Sequence, residues 1–162
     1  MISGNDWDDI VFGGSRGDII TGGGVDDNLT GNGSRDTING NDGDDVISGG
    51  DGKDTISGGQ GDDTISGGGG GDMLSGSSGT DVLTGNSGAD TFIFAYDDEM
   101  ATITDFEDDA DILDLSSFGL ADVSEATALI SEAENNVTFT SGLDILVINN
   151  ITTIDIADDI II

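Results

Sequence analysis

A nine-residue repeat runs through the first ninety-three residues and constrains the fold more than any other feature. Aspartate recurs at every ninth position, with glycine five residues before it and an apolar residue two residues after it. A period this regular predicts a solenoid of stacked equivalent units. All ten units carry the aspartate, as Asp9, Asp18, Asp27, Asp36, Asp45, Asp54, Asp63, Asp72, Asp81 and Asp90.

Each unit divides into a turn and a short strand. In the unit spanning 58–66, the residues Gly58-Gly59-Gln60-Gly61-Asp62-Asp63 favour a tight turn, because glycine reaches positive φ without strain. The following Thr64-Ile65-Ser66 reads polar-apolar-polar, which indicates a strand with one inward side chain. Two units complete a coil of eighteen residues, so the fold class expected is all-β, a parallel β-roll. The inward side chains form two columns, Val11, Leu29, Ile47, Ile65, Leu83 and Ile20, Ile38, Ile56, Leu74, Phe92.

Such a coil needs a cation. Aspartates eighteen residues apart stack about 4.8 Å apart, and each adjacent pair repels by roughly 3 kcal/mol at an effective dielectric near 20. One inward residue in nine makes a thin core, and glycine-rich backbone is costly to order. The chain has no histidine or cysteine, so the ligands are carboxylate and carbonyl oxygens, which suit Ca²⁺ better than Mg²⁺. The alternative is a solvated acidic surface without metal.

The register predicts up to about eight bridged calcium sites on two sides of the roll. One side offers Asp9/Asp27, Asp27/Asp45, Asp45/Asp63 and Asp63/Asp81, and the other offers Asp18/Asp36, Asp36/Asp54, Asp54/Asp72 and Asp72/Asp90. The turn glycines expected to help form them are Gly43, Gly50, Gly52, Gly59, Gly61, Gly68, Gly70, Gly79 and Gly88.

The first four units depart from the later ones at their fourth position. They carry Trp7, Arg16, Val25 and Ser34 where the later units carry glycine, and a side chain there should hinder the turn. The predicted order therefore places Asp45/Asp63, Asp54/Asp72, Asp63/Asp81 and Asp72/Asp90 strongest. Asp27/Asp45 and Asp36/Asp54 come next, and Asp9/Asp27 and Asp18/Asp36 are weakest.

The columns follow the pattern Gly-Gly-x-Gly-x-Asp-x-apolar-x. The units spanning 49–57 and 58–66 match it at every position. Over residues 4–93 the sequence resembles the repeats-in-toxin (RTX, haemolysin-type) calcium-binding family. This resemblance implies a right-handed parallel β-roll that is filled by calcium and disordered without it. It also implies export by a bacterial type I secretion system, so the expected location is extracellular.

Residues 94–162 read as a second region that caps the roll and carries the export signal. The pattern predicts strands over 91–96, 100–106 and 112–115, a helix over 120–134, and a hairpin over 137–148 with its two-residue turn at 141–142. The segments 89–94 and 103–116 are similar to the C-terminal region of the RTX family. Asp105, Asp111 and Asp114 either add a calcium site or act as solvated acids that keep the tail soluble.

The two ends of the chain suggest further partners. The terminal Asp158-Asp159-Ile160-Ile161-Ile162 is similar to the secretion signal of exported proteases and lipases of this group. Near the other end, Trp7, Ile10, Val11 and Phe12 read as a cap on the open coil or as a contact with an upstream effector domain. Because the sequence starts inside the first repeat, we expect it to be a piece of a longer protein.

The expected function is a calcium-binding module that folds after type I secretion. The net charge of −31 argues against nucleic acid and anionic membranes, and no apolar run is long enough to insert in a bilayer. An enzyme is not expected, because histidine and cysteine are absent and the regular acids lack an aromatic platform for a sugar. The alternative function is a calcium-dependent glycan-binding or adhesin module, with a polysaccharide as partner.

Overall fold

The computed structural model describes residues 1–133, 136–150 and 159–162, and these form a parallel β-solenoid. Strands from successive half-coils alternate between two sheets. Sheet A contains β1 (Ile2–Asn5), β3 (Ile19–Gly24), β5 (Thr37–Asp42), β7 (Thr55–Gln60), the first part of β9 (Met73–Ser87), β10 (Thr91–Ile93), β12 (Ile112–Asp114) and β16 (Ile160–Ile161). Sheet B contains β2 (Ile10–Gly14), β4 (Asn28–Gly33), β6 (Val46–Gly52), β8 (Thr64–Gly70), the rest of β9, β11 (Glu99–Ile103), β15 (Asp144–Asn149), β14 (Asn136–Ser141) and β13 (Ile130–Ala133).

The eighteen-residue register confirms the predicted parallel β-roll. Ile38 pairs with Ile56 in sheet A, and Ile47 pairs with Ile65 in sheet B. Every residue of the two predicted inward columns is buried. These columns face each other between the sheets, so each half-coil contributes one side chain to the core.

The strands are longer than the pattern predicts. In β7 the strand continues past Ser57 to Gln60, because Gly59 pairs with Asn41 of the coil below. Stacked coils satisfy backbone groups even where no side chain is present. In β9 the strand runs through an entire turn and belongs to both sheets.

The roll makes about six turns, one more than ten nonapeptides supply. The additional turn comes from β11 and β12, which stack on β9 and β10 in register. The sheets therefore continue beyond residue 94, and the division of the chain at that residue stays a prediction.

The C-terminal region differs from its prediction in the helix, in the length of two strands and in the position of the hairpin turn. The helix expected over 120–134 is limited to α1 (Val123–Ala128), begun by the Asp122 side chain accepting from the Glu125 N–H, and β13 follows it. Pairing of β13 with β14 overrides the helical spacing there. Two strands are also shorter than expected. The strand predicted over 91–96 ends at Ile93, and the strand predicted over 100–106 is β11, which ends at Ile103. The strand over 112–114 and the hairpin β14–β15 are confirmed, with the hairpin turn one residue later at Gly142-Leu143.

An aromatic cluster closes the C-terminal end of the core. Phe118 packs between Phe94 and Phe139, with ring centroids 5.7 and 5.2 Å away. The N-terminal end is different, because Trp7, Ile10 and Phe12 are largely exposed and do not fold over the first coil. The cap predicted from Trp7, Ile10, Val11 and Phe12 is therefore wrong. Of these four side chains, only that of Val11 enters the core. No helix within the described ranges is long and apolar enough to span a membrane.

Candidate metal centres in the turns

The repeat aspartates form a hydrogen-bonded ladder along each edge of the roll. The backbone N–H of Asp45 donates to Oδ1 of Asp63 at 2.8 Å, and the N–H of Asp54 donates to Oδ1 of Asp72 at 2.8 Å. The same bond joins all eight predicted pairs. The aspartates from Asp27 onward are buried, whereas Asp9 and Asp18 are only half-buried.

The second carboxylate oxygen of most ladder aspartates is buried without a hydrogen-bond partner. This holds for Oδ2 of Asp9, Asp27, Asp36, Asp45, Asp54, Asp63, Asp72 and Asp81. A buried carboxylate oxygen with no donor is strongly unfavourable unless a cation or a proton compensates it. A row of such atoms at one equivalent position is therefore the main chemical feature of the roll.

Backbone carbonyls supply further oxygens beside these atoms. A Cβ placed on Gly40 would lie 2.0 Å from Oδ2 of Asp45 and 2.5 Å from the carbonyl oxygen of Gly58. Gly49 shows the same arrangement on the opposite edge, with Asp54 and Gly67. The first glycine of each unit is thus required because the aspartate side chain folds back over it. The space beside this glycine therefore contains oxygen acceptors from two adjacent coils.

The turns depend on positive φ at two positions of the nonapeptide. At the second position all ten units have positive φ, and the non-glycine residues there are Asn5, Asn32, Asn41, Ser77 and Asn86. At the fourth position every predicted glycine has positive φ. Sequence reasoning did not single out the asparagines, although asparagine is the non-glycine residue that adopts this conformation most readily.

The four departures at the fourth position fall into two classes. Val25 and Ser34 adopt the glycine conformation, with φ of 71° and 78°, so the expected hindrance does not change the turn. Trp7 and Arg16 are not among the residues with positive φ, so the first two turns differ in backbone from the rest. The predicted ranking of the sites stays a prediction.

Burial raises the pKa of seven ladder carboxyls, and neighbouring carboxylates raise it further; these are Asp27, Asp45, Asp54, Asp63, Asp72, Asp81 and Asp90. The pKa of Asp63 reaches about 7, and that of Asp45, Asp72 and Asp81 about 6, with burial the largest cause in each. The charge of Asp45 contributes to the shift of Asp63. The ionised ladder is therefore unfavourable in this fold unless positive charge enters it.

The C-terminal acids do not assemble the predicted three-carboxylate site. Asp105 accepts from the N–H groups of Gly85 and Asn86, and Asp114 accepts from the N–H of Ser116. Asp111 instead extends one ladder, because the Asp90 N–H donates to its Oδ1 at 2.9 Å. Spacing of twenty-one residues, rather than eighteen, hid this continuation of the ladder from the repeat pattern.

Further buried acids in this region, Asp98, Asp144 and Asp159, have no periodic signal in the sequence. Over the described residues, no three acidic side chains come close enough together to hold a metal by themselves. An ion in the roll would therefore rest on two aspartates and backbone carbonyls. These hard oxygen ligands fit calcium.

A parallel solenoid with oxygen-lined turns defines the class of metal-binding β-rolls. Residues 21–56, 30–65 and 66–94 match the model of the RTX calcium-binding nonapeptide repeat (4 copies). Residues 21–94 therefore consist of RTX calcium-binding nonapeptide repeats. A search of curated protein sequences finds no match.

Two solved structures were compared with the chain. The extracellular lipase LipA from Serratia marcescens is similar with a TM-score of 0.50 and 15% identity, over 89% of this chain and 40% of the lipase. The chain thus spans well under half of that protein, and the likeness shows the fold alone. A subunit of the mannuronan C5-epimerase from Azotobacter vinelandii is 19% identical over 92% of this chain and 80% of that one, with a TM-score of 0.30.

Proposed function

We propose that this chain is a module that folds on binding calcium after type I secretion, and that it carries the C-terminal export signal. The observation that carries this proposal is the row of buried Oδ2 atoms without partners. Calcium supplies the positive charge that these oxygens lack. The ladder aspartates and turn carbonyls hold it, and binding energy becomes folding energy.

Calcium concentration differs across the bacterial envelope in the direction that this function requires. Extracellular calcium modules have dissociation constants of about 0.1–1 mM, far above intracellular free calcium. Inside the cell the ladder carboxylates repel and the chain stays unfolded, which suits passage through a narrow channel. Outside, the paired turns bind calcium and stack. Any catalytic activity would belong to an upstream effector domain, and this chain would not itself be an enzyme.

Circular dichroism during a calcium titration tests the folding step. In EGTA at pH 7.5 we expect an unfolded spectrum, and millimolar calcium should produce a β-sheet spectrum that EGTA reverses. Magnesium at the same concentration is the control and should leave the chain unfolded, since it prefers a small octahedral site and retains its water. A β-sheet spectrum that persists in EGTA would refute the proposal.

Deletion of the last residues tests the export step separately. The described part of the terminal motif is Asp159–Ile162, where β16 pairs with β12; Asp158 lies outside the described residues. In a bacterium with a type I system, removal of residues 158–162 should abolish export of a fusion protein. Unchanged export would remove the signal from the proposal and leave the calcium-folding step intact.

A second candidate function is calcium-dependent glycan binding. An open trough on the outer face of sheet B brings the exposed Phe12 ring beside Thr30, Asn32, Ser48 and Asp51. An aromatic face next to hydroxyl, amide and carboxylate groups suits a sugar. A glycan array probed with and without calcium should show binding that Phe12→Ala removes; absence of any binding would exclude this function.

A further inference from the structure

The two edges of the roll differ in charge. The acidic edge consists of the turns that lead from sheet A to sheet B, residues 4–9, 22–27, 40–45, 58–63 and 76–81. The mixed edge consists of the turns that lead from sheet B to sheet A, residues 13–18, 31–36, 49–54, 67–72 and 85–90. The acidic edge contains eleven acids and no base, a net charge of −11. The mixed edge contains six acids and all three bases of the chain, a net charge of −3.

A second column of acids accounts for much of the charge on the acidic edge. Asp26, Asp44 and Asp62 each directly precede a ladder aspartate. The N–H of Asp44 donates to Oδ1 of Asp26 at 2.9 Å, and the N–H of Asp62 donates to Oδ1 of Asp44 at 2.9 Å. These bonds hold the second column against the turns, so its charges stay close to the ladder.

The equivalent column on the mixed edge contains bases. Arg35 and Lys53 stand in adjacent coils at the positions where the acidic edge has aspartate. The Lys53 side chain lies across the next coil, with Nζ 3.2 Å from the point that a Cβ on Gly71 would occupy. The ladder on this edge is therefore partly neutralised by the chain itself.

We propose that, within each coil, the site on the acidic edge fills at lower calcium concentration than the site on the mixed edge. The inference rests on the proposed calcium-dependent folding and deepens it. Asp26, Asp44 and Asp62 increase calcium affinity without having to contact the ion, whereas Arg35 and Lys53 decrease it. A unit charge about 8 Å from a divalent ion in a water-like dielectric changes its affinity by about fivefold. At low ionic strength, two such charges make the calcium affinities of the two edges differ by more than tenfold.

This order gives folding a direction across the roll. The acidic edge carries the stronger repulsion in the absence of calcium, and it also attracts the ion most strongly. Its turns close first and hold the coils in register. The mixed edge then completes the coil at higher calcium, so the fully folded state requires the higher concentration found outside the cell.

Isothermal titration calorimetry at low ionic strength tests the order. The wild-type chain should show two classes of calcium site. Asp45→Asn with Asp63→Asn should remove the tight class, while the matched pair Asp54→Asn with Asp72→Asn should remove the weak class and retain the tight one. Equal losses from the two pairs, or a tight class that disappears with the second pair, would overturn the proposal.

A charge variant that retains every ladder aspartate covers the case in which the ligand variants do not fold. Arg35→Gln with Lys53→Gln should tighten the weak class by about fivefold or more and leave the tight class unchanged. The control is Ser131→Asp with Leu143→Asp, which changes the net charge equally at exposed positions of the C-terminal region and should alter neither class. A weak class that does not tighten contradicts the proposal. A wild-type chain that binds no calcium would instead refute the proposed function, and a single class of sites would refute only the order.

Discussion

Single residues in the turns hold conformations that their side chains do not favour. Val25 has a φ of 71° although it is β-branched, and left-handed backbone at a residue of this kind is strained. It occupies the position that later units fill with Gly43 or Gly52. The chain therefore tolerates local strain where the stacking of coils determines the backbone.

Replacing this valine by glycine should stabilise the roll. Val25→Gly relieves strain of order 1–3 kcal/mol and loses roughly 0.5–1 kcal/mol through the greater freedom of the unfolded chain, so we expect a net gain of about 1 kcal/mol. Urea unfolding at saturating calcium measures it. The matched control is Val46→Gly, where a similarly exposed valine lies within β6 without positive φ. It should destabilise by about 1 kcal/mol, and a change of the same sign at both positions would contradict this explanation.

Elements of the C-terminal region are joined to the roll by aspartate carboxylates that accept hydrogen bonds from backbone N–H groups. Asp105 follows β11 and accepts from two N–H groups of β9, those of Gly85 and Asn86, both at 2.8 Å. We expect Asp105→Asn to destabilise the chain by about 1.5–3 kcal/mol, because one charge-assisted bond loses its acceptor. The loss should be the same at two calcium concentrations that both keep the chain folded, as measured by urea unfolding. A loss that grows with calcium would make Asp105 a ligand, and Glu132→Gln, at an exposed position, is the neutral control.

The nine-residue period made the roll predictable, and the absence of such a period limited prediction in the C-terminal region. The inward column through Ile38 and Ile56 follows from a period of nine because identical coils have only one way to stack. Residues 130–133 keep apolar spacing typical of a helix, yet form β13 because the hairpin offers an unpaired edge. Asp111 joins the ladder through a loop of different length, and only tertiary structure reveals that. For the ladder pairs, the sequence predicted their juxtaposition but not which oxygen lacks a partner.

At the scale of the whole molecule, the roll is a stack of buried acids whose charges the chain does not balance. Its three bases all lie on one edge, and residues 91–162 contain none. The described strands nevertheless pair in register along each sheet. The stability of the fold therefore depends on what neutralises the ladders, and the two available agents are calcium and protons. These agents compete for the same oxygens.

Without calcium, the folded state should become more stable as the pH falls from about 7. The carboxyl of Asp63 has a pKa of about 7 in the fold against an ordinary value of 3.8, and Asp45 shows the same direction. When the folded pKa is the higher one, the folded state binds more protons. The penalty for burying these charges is thus complete above pH 7 and is relieved as the pH falls through the folded pKa values toward 4.

We therefore expect circular dichroism in EGTA to show little β-sheet at pH 8 and more at pH 5, a range that stays above the isoelectric point near 4.1. In parallel, the calcium concentration at the midpoint of folding at pH 6 should be no higher than that at pH 8, because protons stabilise the calcium-free fold and do not bind the unfolded chain in this range. Asp63→Asn removes the group with the highest pKa and should weaken the pH response in EGTA, whereas Glu132→Gln, at an exposed position, should leave it unchanged. A β-sheet signal in EGTA that falls with decreasing pH would show that these aspartates are not buried as charged groups in the calcium-free fold.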